Sequence, residues 1–288
     1  MSTPAGPATY GIAVVGGGTM GAGIAEIAAR RGFDVVVVDP EAEGAARRVE
    51  RSVARASHVG KLSFDDAESA LRRITFETDI GVLGTQRLIV EAAPEIEDLK
   101  VEVFRQLDEV ARPDAVLATN TSSIPVVKLA SVTKRPGQVI GIHFFNPVPV
   151  LPLVEIIETL LTSAETTQLA VDFAREGLGK RVIHAKDRAG FVVNSLLIPY
   201  LLSAVRMHES GFASAGDIDR GMVDGCAHPM GPLALCDLIG LDTTVAVARS
   251  LYEEFKEPLF APPPLLLRMV DAGLLGRKSG RGFFSYGG

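Results

Sequence analysis

Ile12-Ala13-Val14-Val15-Gly16-Gly17-Gly18-Thr19-Met20-Gly21-Ala22-Gly23 runs from a short apolar segment straight into a glycine cluster. Four apolar residues with no polar alternation suit a strand buried on both faces. Gly16, Gly18 and Gly21 then spell G-x-G-x-x-G. In that pattern the first glycine permits a tight turn, the second lets main-chain amides approach a pyrophosphate, and the third lets helix and strand pack closely. Ala22 to Arg31 reads as the helix, with small apolar residues toward the strand, and Phe33 to Val38 as the next buried strand. Strand, helix and strand within about 30 residues make a βαβ unit.

The loop from Gly16 through Gly18, Thr19 and Met20 to Gly21 is therefore a candidate nucleotide site. The helix N-terminus behind it offers partial positive charge and free N–H donors to phosphates. A glycine-rich turn without a ligand is the plain alternative. Against it stands Asp39, which closes the second strand 18 residues after Gly21, where a carboxylate can accept bonds from the adenosine ribose hydroxyls. Asp39 would repel a 2′-phosphate, and no arginine follows it immediately, so the expected cofactor is NAD.

Further apolar strands follow at Leu88 to Ala92, Ala115 to Ala118, Val139 to Phe144 and Leu153 to Ile157, with a helix at Glu97 to Val110 among them. This alternation argues for a Rossmann-type α/β fold, a mostly parallel sheet with helices on both faces. A helix near Ala164 to Leu178 and a short strand at Arg181 to His184 lead into a linker, Lys186 to Gly190. Beyond Phe191 the pattern is helical: Val192 to Glu209, Ala215 to Asp224, Thr243 to Glu254 and Pro264 to Ala272. The expected organisation is a disordered lead-in over 1–10, a dinucleotide-binding domain over 11–187 and an all-helical domain over 188–288. The apolar runs Leu196 to Val205 and Leu265 to Leu267 suggest that the helical part completes its core in a homodimer.

Composition excludes several classes. The 288 residues are 47% hydrophobic and 22% charged, which rules out wholesale disorder and fibrous character. A net charge of −6 supplies no positive field for nucleic acid or an anionic membrane. The longest nearly apolar stretch, Val192 to Val205, is 14 residues and holds Asn194, Ser195 and Pro199; a membrane span needs ~20. Met1 to Tyr10 has neither an apolar core nor a basic leader, so a cytoplasmic protein is expected. Cys226 and Cys236 give no disulfide framework and no zinc quartet, and are read as buried small hydrophobes. No metal site is expected.

The candidate reacting site lies in Ile140-Gly141-Ile142-His143-Phe144-Phe145-Asn146-Pro147, which puts a histidine near the end of a buried strand, where ligands gather in open α/β sheets. Twelve residues later Glu155 interrupts the apolar Leu153-Val154-Glu155-Ile156-Ile157. An ionised carboxylate in such a strand is costly unless paired, and His143 is the expected partner. Arg47, Arg51 and Arg55 recur at helical spacing and line one helix face. The reading favoured by the residues alone is a solvated stripe paired with Glu43 and Glu50; the other is a contact for the phosphates of an anionic substrate. His58, His184 and His208 read as structural or exposed, with no acidic partner suggested by spacing, and His228 as part of a turn before a helix.

On these motifs the chain resembles the 3-hydroxyacyl-CoA dehydrogenases over about residues 11 to 286, most closely the short single-function 3-hydroxybutyryl-CoA dehydrogenases. The matching stretches are Gly16 to Gly23, Asn120-Thr121-Ser122-Ser123, His143 to Pro149, Gly190 to Asn194, His228-Pro229-Met230-Gly231-Pro232 and Gly276 to Gly282. The resemblance implies that His143 is the general base for the substrate 3-hydroxyl and that Glu155 sets its tautomer. It implies that Ser122 and Asn194 orient the substrate oxygen and the thioester carbonyl. It further implies cofactor contacts from Glu95, Lys100, Ser122 and Lys278, and contacts to the CoA end of a CoA thioester substrate from Ser52, Arg55 and Lys61. Two departures stand out. Ser57-His58-Val59-Gly60-Lys61 lacks lysines that family members carry before the Gly-Lys pair, and Ser195 stands where many relatives have arginine. The thinned basic cluster leaves open a hydroxy acid that is free or bound to a carrier protein. A non-catalytic dinucleotide-binding protein is a further reading, opposed by the intact set of His143, Glu155, Ser122 and Asn194.

Overall fold

The computed structural model describes residues 10–287, so the expected lead-in lies outside the described residues except for Tyr10. The described chain divides into two units between Arg188 and Ala189.

The first unit is built on an eight-stranded sheet in the order β3-β2-β1-β4-β5-β6-β7-β8. The strands are β1 (Ile12–Val15), β2 (Val35–Val38), β3 (Ile74–Glu77), β4 (Leu88–Glu91), β5 (Val116–Thr119), β6 (Val139–Phe144), β7 (Leu153–Glu158) and β8 (Arg181–Lys186). All neighbours run parallel except β6 and β7, which are antiparallel. β1, β4, β5 and β6 are buried along their whole length, as largely apolar strands covered on both faces must be. Strand order reverses between β1 and β4, and that reversal opens a crevice at the carboxyl ends of the strands. Val15, Val38, Glu91, Thr119 and Phe144 end their strands on this common edge.

Helix α1 (Thr19–Arg30) follows the glycine loop and buries Gly21 through Ala29 without a break. Its small residues permit this: a Cβ on Gly21 would collide with the Gly16 carbonyl oxygen, and one on Gly23 would sit 2.9 Å from Val148 Cβ. β3 and the helices α2 (Ala42–His58) and α3 (Phe64–Arg72) complete the first half of the unit. β3 was not expected from the sequence. Ile-Thr-Phe-Glu is a short edge strand with one buried side chain, so it carries no apolar run. The helix anticipated over 164–178, α6 (Ala164–Asp172), is α-helical only to Asp172 and closes in a wider π turn, Phe173–Gly177.

The second unit is helical. α7 (Val193–Glu209), α8 (Ala215–Cys226), α9 (Pro232–Ile239), α10 (Leu241–Phe255) and α11 (Pro264–Asp271) enclose their own core around Leu201, Leu202, Val205, Leu233, Leu241, Ala248 and Leu251. Two buried aspartates tie it together. Asp219 accepts the Leu233 and Ala234 N–H groups at the start of α9, at 2.8 and 2.9 Å. Asp237 accepts those of Phe283 and Phe284 and the Tyr286 hydroxyl. Cys236 is buried, and burial and then Asp237 push its thiol up to about 12, whereas Cys226 is exposed, contrary to the expectation for it. Position 226 ends α8 against solvent, where no core is left to cover it. Among the described residues no helix is long and apolar enough to cross a membrane.

Candidate active site

The glycine loop fits a pyrophosphate. Gly16 has φ +96°, and a Cβ there would lie 2.7 Å from the main chain of Ala92 and Ala93. Gly18 is the opposite case: it is exposed, and a Cβ would meet nothing within 4 Å. The space above the α1 N-terminus is therefore open. Gly18 is also the N-cap and has no side chain to satisfy the first-turn amides, which leaves those of Thr19 and Met20 for an anion. Asp39 stands at the end of β2 with its carboxylate fixed by two main-chain donors, Gly17 N–H at 2.6 Å and Glu41 N–H at 2.8 Å. Each oxygen keeps a lone pair for a ribose hydroxyl. Arg48, which the sequence reading did not single out, reaches from α2 to the Gly17 carbonyl at 2.7 Å and holds the same loop from below.

At the neighbouring strand ends lies a network that the sequence reading saw only in part. Glu91 closes β4 fully buried, and its carboxylate accepts Lys100 Nζ, Ala93 N–H and Thr119 Oγ1, each at 2.7 Å. Lys100, on α4 (Glu97–Val110), is itself fully buried and stands 3.4 Å from Glu95. Its ammonium neutralises Glu91 and steadies Glu95. Glu95 Oε1 in turn collects the Thr121 hydroxyl, the Ser122 and Ser123 N–H groups and the Ser123 hydroxyl. Burial alone would raise the Glu95 carboxyl, but the Lys100 charge and these hydrogen bonds outweigh it and hold the group below its ordinary value. Ser122 thus sits in a loop gathered around a carboxylate. The signal that exposed Glu155, an acid in an apolar strand, was equally present in Leu88-Ile89-Val90-Glu91.

His143 and Glu155 face each other in register across β6 and β7. His143 Nδ1 lies 2.7 Å from Glu155 Oε2, and both side chains are buried. A carboxylate only accepts, so Nδ1 carries the proton and Nε2 is the basic atom of the neutral ring. Phe145 lies against the imidazole with ring centroids 4.7 Å apart. Asn120 accepts the Phe144 N–H at 2.9 Å and so ties the end of β6 to the loop that carries Ser122.

The remaining candidates fare differently. Arg55 and Lys61 are exposed at and beyond the end of α2, and among the described residues neither has an ion pair. Ser52 donates its hydroxyl proton to buried Glu26 at 2.5 Å, and its oxygen keeps acceptor capacity. Arg47 pairs with Glu43 at 3.3 Å on an exposed face, as the solvated-stripe reading expects, but Arg51 bonds the Arg47 carbonyl instead of Glu50. His184 is exposed, as expected, and has an acidic partner that spacing did not suggest. Its Nδ1 lies 3.5 Å from Glu158, because β7 and β8 pair with Ile156 opposite His184. In the helical unit Asn194 lies half-buried in the first turn of α7. Ser195 bonds back to the Phe191 carbonyl at 2.6 Å, and Lys278 pairs with Asp242 at 2.5 Å.

This geometry coincides with a family match over almost the whole chain. The model of the 3-hydroxyacyl-CoA dehydrogenase NAD-binding domain covers residues 11–188, and that of the C-terminal domain covers 190–286. The chain belongs to the 3-hydroxyacyl-CoA dehydrogenase family. Its relatives in this family include a 3-hydroxybutyryl-CoA dehydrogenase of Mycobacterium tuberculosis, 52% identical over 96% of this chain and 98% of the relative. A probable 3-hydroxybutyryl-CoA dehydrogenase of Deinococcus radiodurans is 45% identical over 95% and 99%. Among solved structures, M. tuberculosis FadB2 superposes with a TM-score of 0.96 at 52% identity, over 97% of this chain and 100% of that one. The (S)-3-hydroxybutyryl-CoA dehydrogenase PaaH1 of Ralstonia eutropha gives 0.91 at 44%, over 98% and 100%. The dehydrogenase family accounts for the doubly wound sheet, the NAD-binding loop and the helical second unit together.

Proposed function

We propose that the protein interconverts (S)-3-hydroxybutyryl-CoA and acetoacetyl-CoA with NAD as the redox partner. The observation that carries the chemistry is the buried His143–Glu155 hydrogen bond of 2.7 Å at the edge where the nucleotide loop also opens. His143 Nε2 takes the proton from the substrate 3-hydroxyl in oxidation and returns one in reduction. Glu155 keeps Nδ1 protonated and stabilises the imidazolium that forms, from a position that β7 holds in register with the histidine. NAD, when bound, supplies the hydride acceptor. Ser122 and Asn194 orient the oxygens of the acyl group, and Gly16 to Gly21, Asp39, Glu95 and Lys278 hold the cofactor, with Lys100 acting through Glu95.

Arg55 and Lys61, exposed and without an ion pair among the described residues, support a phosphate-bearing substrate end and hence a CoA thioester. Exposed apolar side chains on the helical unit, Leu196 at 71% and Phe212 at 79%, support a homodimer. The two free thiols suit the reducing cytoplasm. The test is NADH consumption with acetoacetyl-CoA against the same acyl group on pantetheine. Turnover with CoA and a higher KM without its nucleotide end are expected. Absence of turnover with every 3-oxoacyl-CoA refutes the activity, and equal kinetics on both thioesters refutes the role of Arg55 and Lys61.

A further inference from the structure

Helix α5 (Val126–Ser131) follows the loop that carries Ser122, and it lacks a cap of its own. Its N-cap residue is Pro125, which has no acceptor side chain. The cap comes from far along the chain. Asp187 Oδ1 accepts the Val126 N–H at 2.8 Å and Oδ2 accepts the Val127 N–H at 2.7 Å, so both carboxylate oxygens close the first turn. A helix of six residues has too little propensity to fix its own position. It stands where its anchors hold it. At the other end of the loop, Glu95 gathers the Thr121 hydroxyl and the Ser122 and Ser123 amides. The segment bearing Ser122 is thus strung between two carboxylates, Glu95 from the connection between β4 and α4 and Asp187 from the residue after β8. Asp187 also lies two residues before Ala189, so the strand that delivers it, β8, leads directly out of the first unit.

We propose that Asp187 is a positioning residue for the reaction: by capping α5 it fixes the loop whose Ser122 orients the substrate oxygen. This rests on the reading of Ser122 given above. A double-mutant cycle on kcat/KM for acetoacetyl-CoA tests it, because a purely structural cap would cost the same in either background. Asp187→Ala is expected to lower kcat/KM about ten- to hundredfold, the scale of an ångström-sized misplacement. Asp187→Asn, which keeps one acceptor, is expected to recover most of the loss. In a Ser122→Ala background Asp187→Ala is expected to cost less than about twofold more. Equal losses in both backgrounds, or no loss in Asp187→Ala, overturn the proposal. Full activity in Ser122→Ala refutes the Ser122 reading and the proposal with it. Should Asp187→Ala fail to fold, the same cycle is read with Asp187→Asn, where a loss confined to the Ser122 background supports the proposal and an equal loss in both backgrounds overturns it.

Discussion

Both units bury acids, and the partners that hold them differ. In the sheet unit Glu91 and Glu155 are both at 0% exposure, and each meets a side chain that carries a titratable proton, Lys100 or His143. In the helical unit Asp219 and Asp237 are almost as deeply buried, yet they accept main-chain N–H groups, with one tyrosine hydroxyl added at Asp237. Burial of a carboxylate therefore does not mark chemistry; its partner does. An amide donor can only be held, whereas an imidazole held by a carboxylate changes charge at modest cost. Between the extremes lies Glu95, partly open, with both kinds of partner around it.

The largest expected effect comes from the dyad. His143→Ala and Glu155→Gln should each lower kcat about 10³-fold, the usual worth of a positioned proton-transfer group, while the affinity for NADH measured by fluorescence stays put. The next contrast sets Lys100 against Asp237. Lys100→Met strands Glu91 in an apolar strand end and should cost about 3–5 kcal/mol in denaturant unfolding. Asp237→Asn keeps one acceptor and should cost about 1–3 kcal/mol, with kcat of the folded enzyme unchanged. A larger loss of kcat at Asp237 than at Lys100 would dissolve the distinction between the units.

The smallest effect concerns pH. Because the Glu95 carboxyl is held below its ordinary value, its contribution to stability is complete above the unfolded carboxylate range, about 4.3. It is lost as pH falls through the lower folded value. The stability gap between wild type and Glu95→Gln should accordingly be flat above about pH 5 and close in acid. A gap that widens in acid would mean the sign is wrong.

What was legible in the sequence is local. The run Ile12–Val15 with its glycines, the valines of β2 and the acid at Asp39 sit within one βαβ unit, and each part constrains the next. The His143–Glu155 pair was legible because an acid in an apolar strand needs a nearby partner and the intervening turn is short. Lys100 was carried by resemblance alone, since nothing local says that a lysine on α4 points inward. The cap that Asp187 lends to α5 and the His184–Glu158 pair required strand pairing that joins residues far apart or through β8. The Ser52–Glu26 bond was hidden for the same reason: Glu26 lies on another helix, and only packing of α1 against α2 brings the two together.

The central claim is that imidazole and carboxylate work as one unit at the edge of the sheet. The direct measurement is kcat of the double variant His143→Ala/Glu155→Gln beside the two single variants. The account predicts that the double variant is no slower than His143→Ala alone, because the carboxylate has no task once the ring is gone. Losses that multiply would contradict it and separate Glu155 from the histidine.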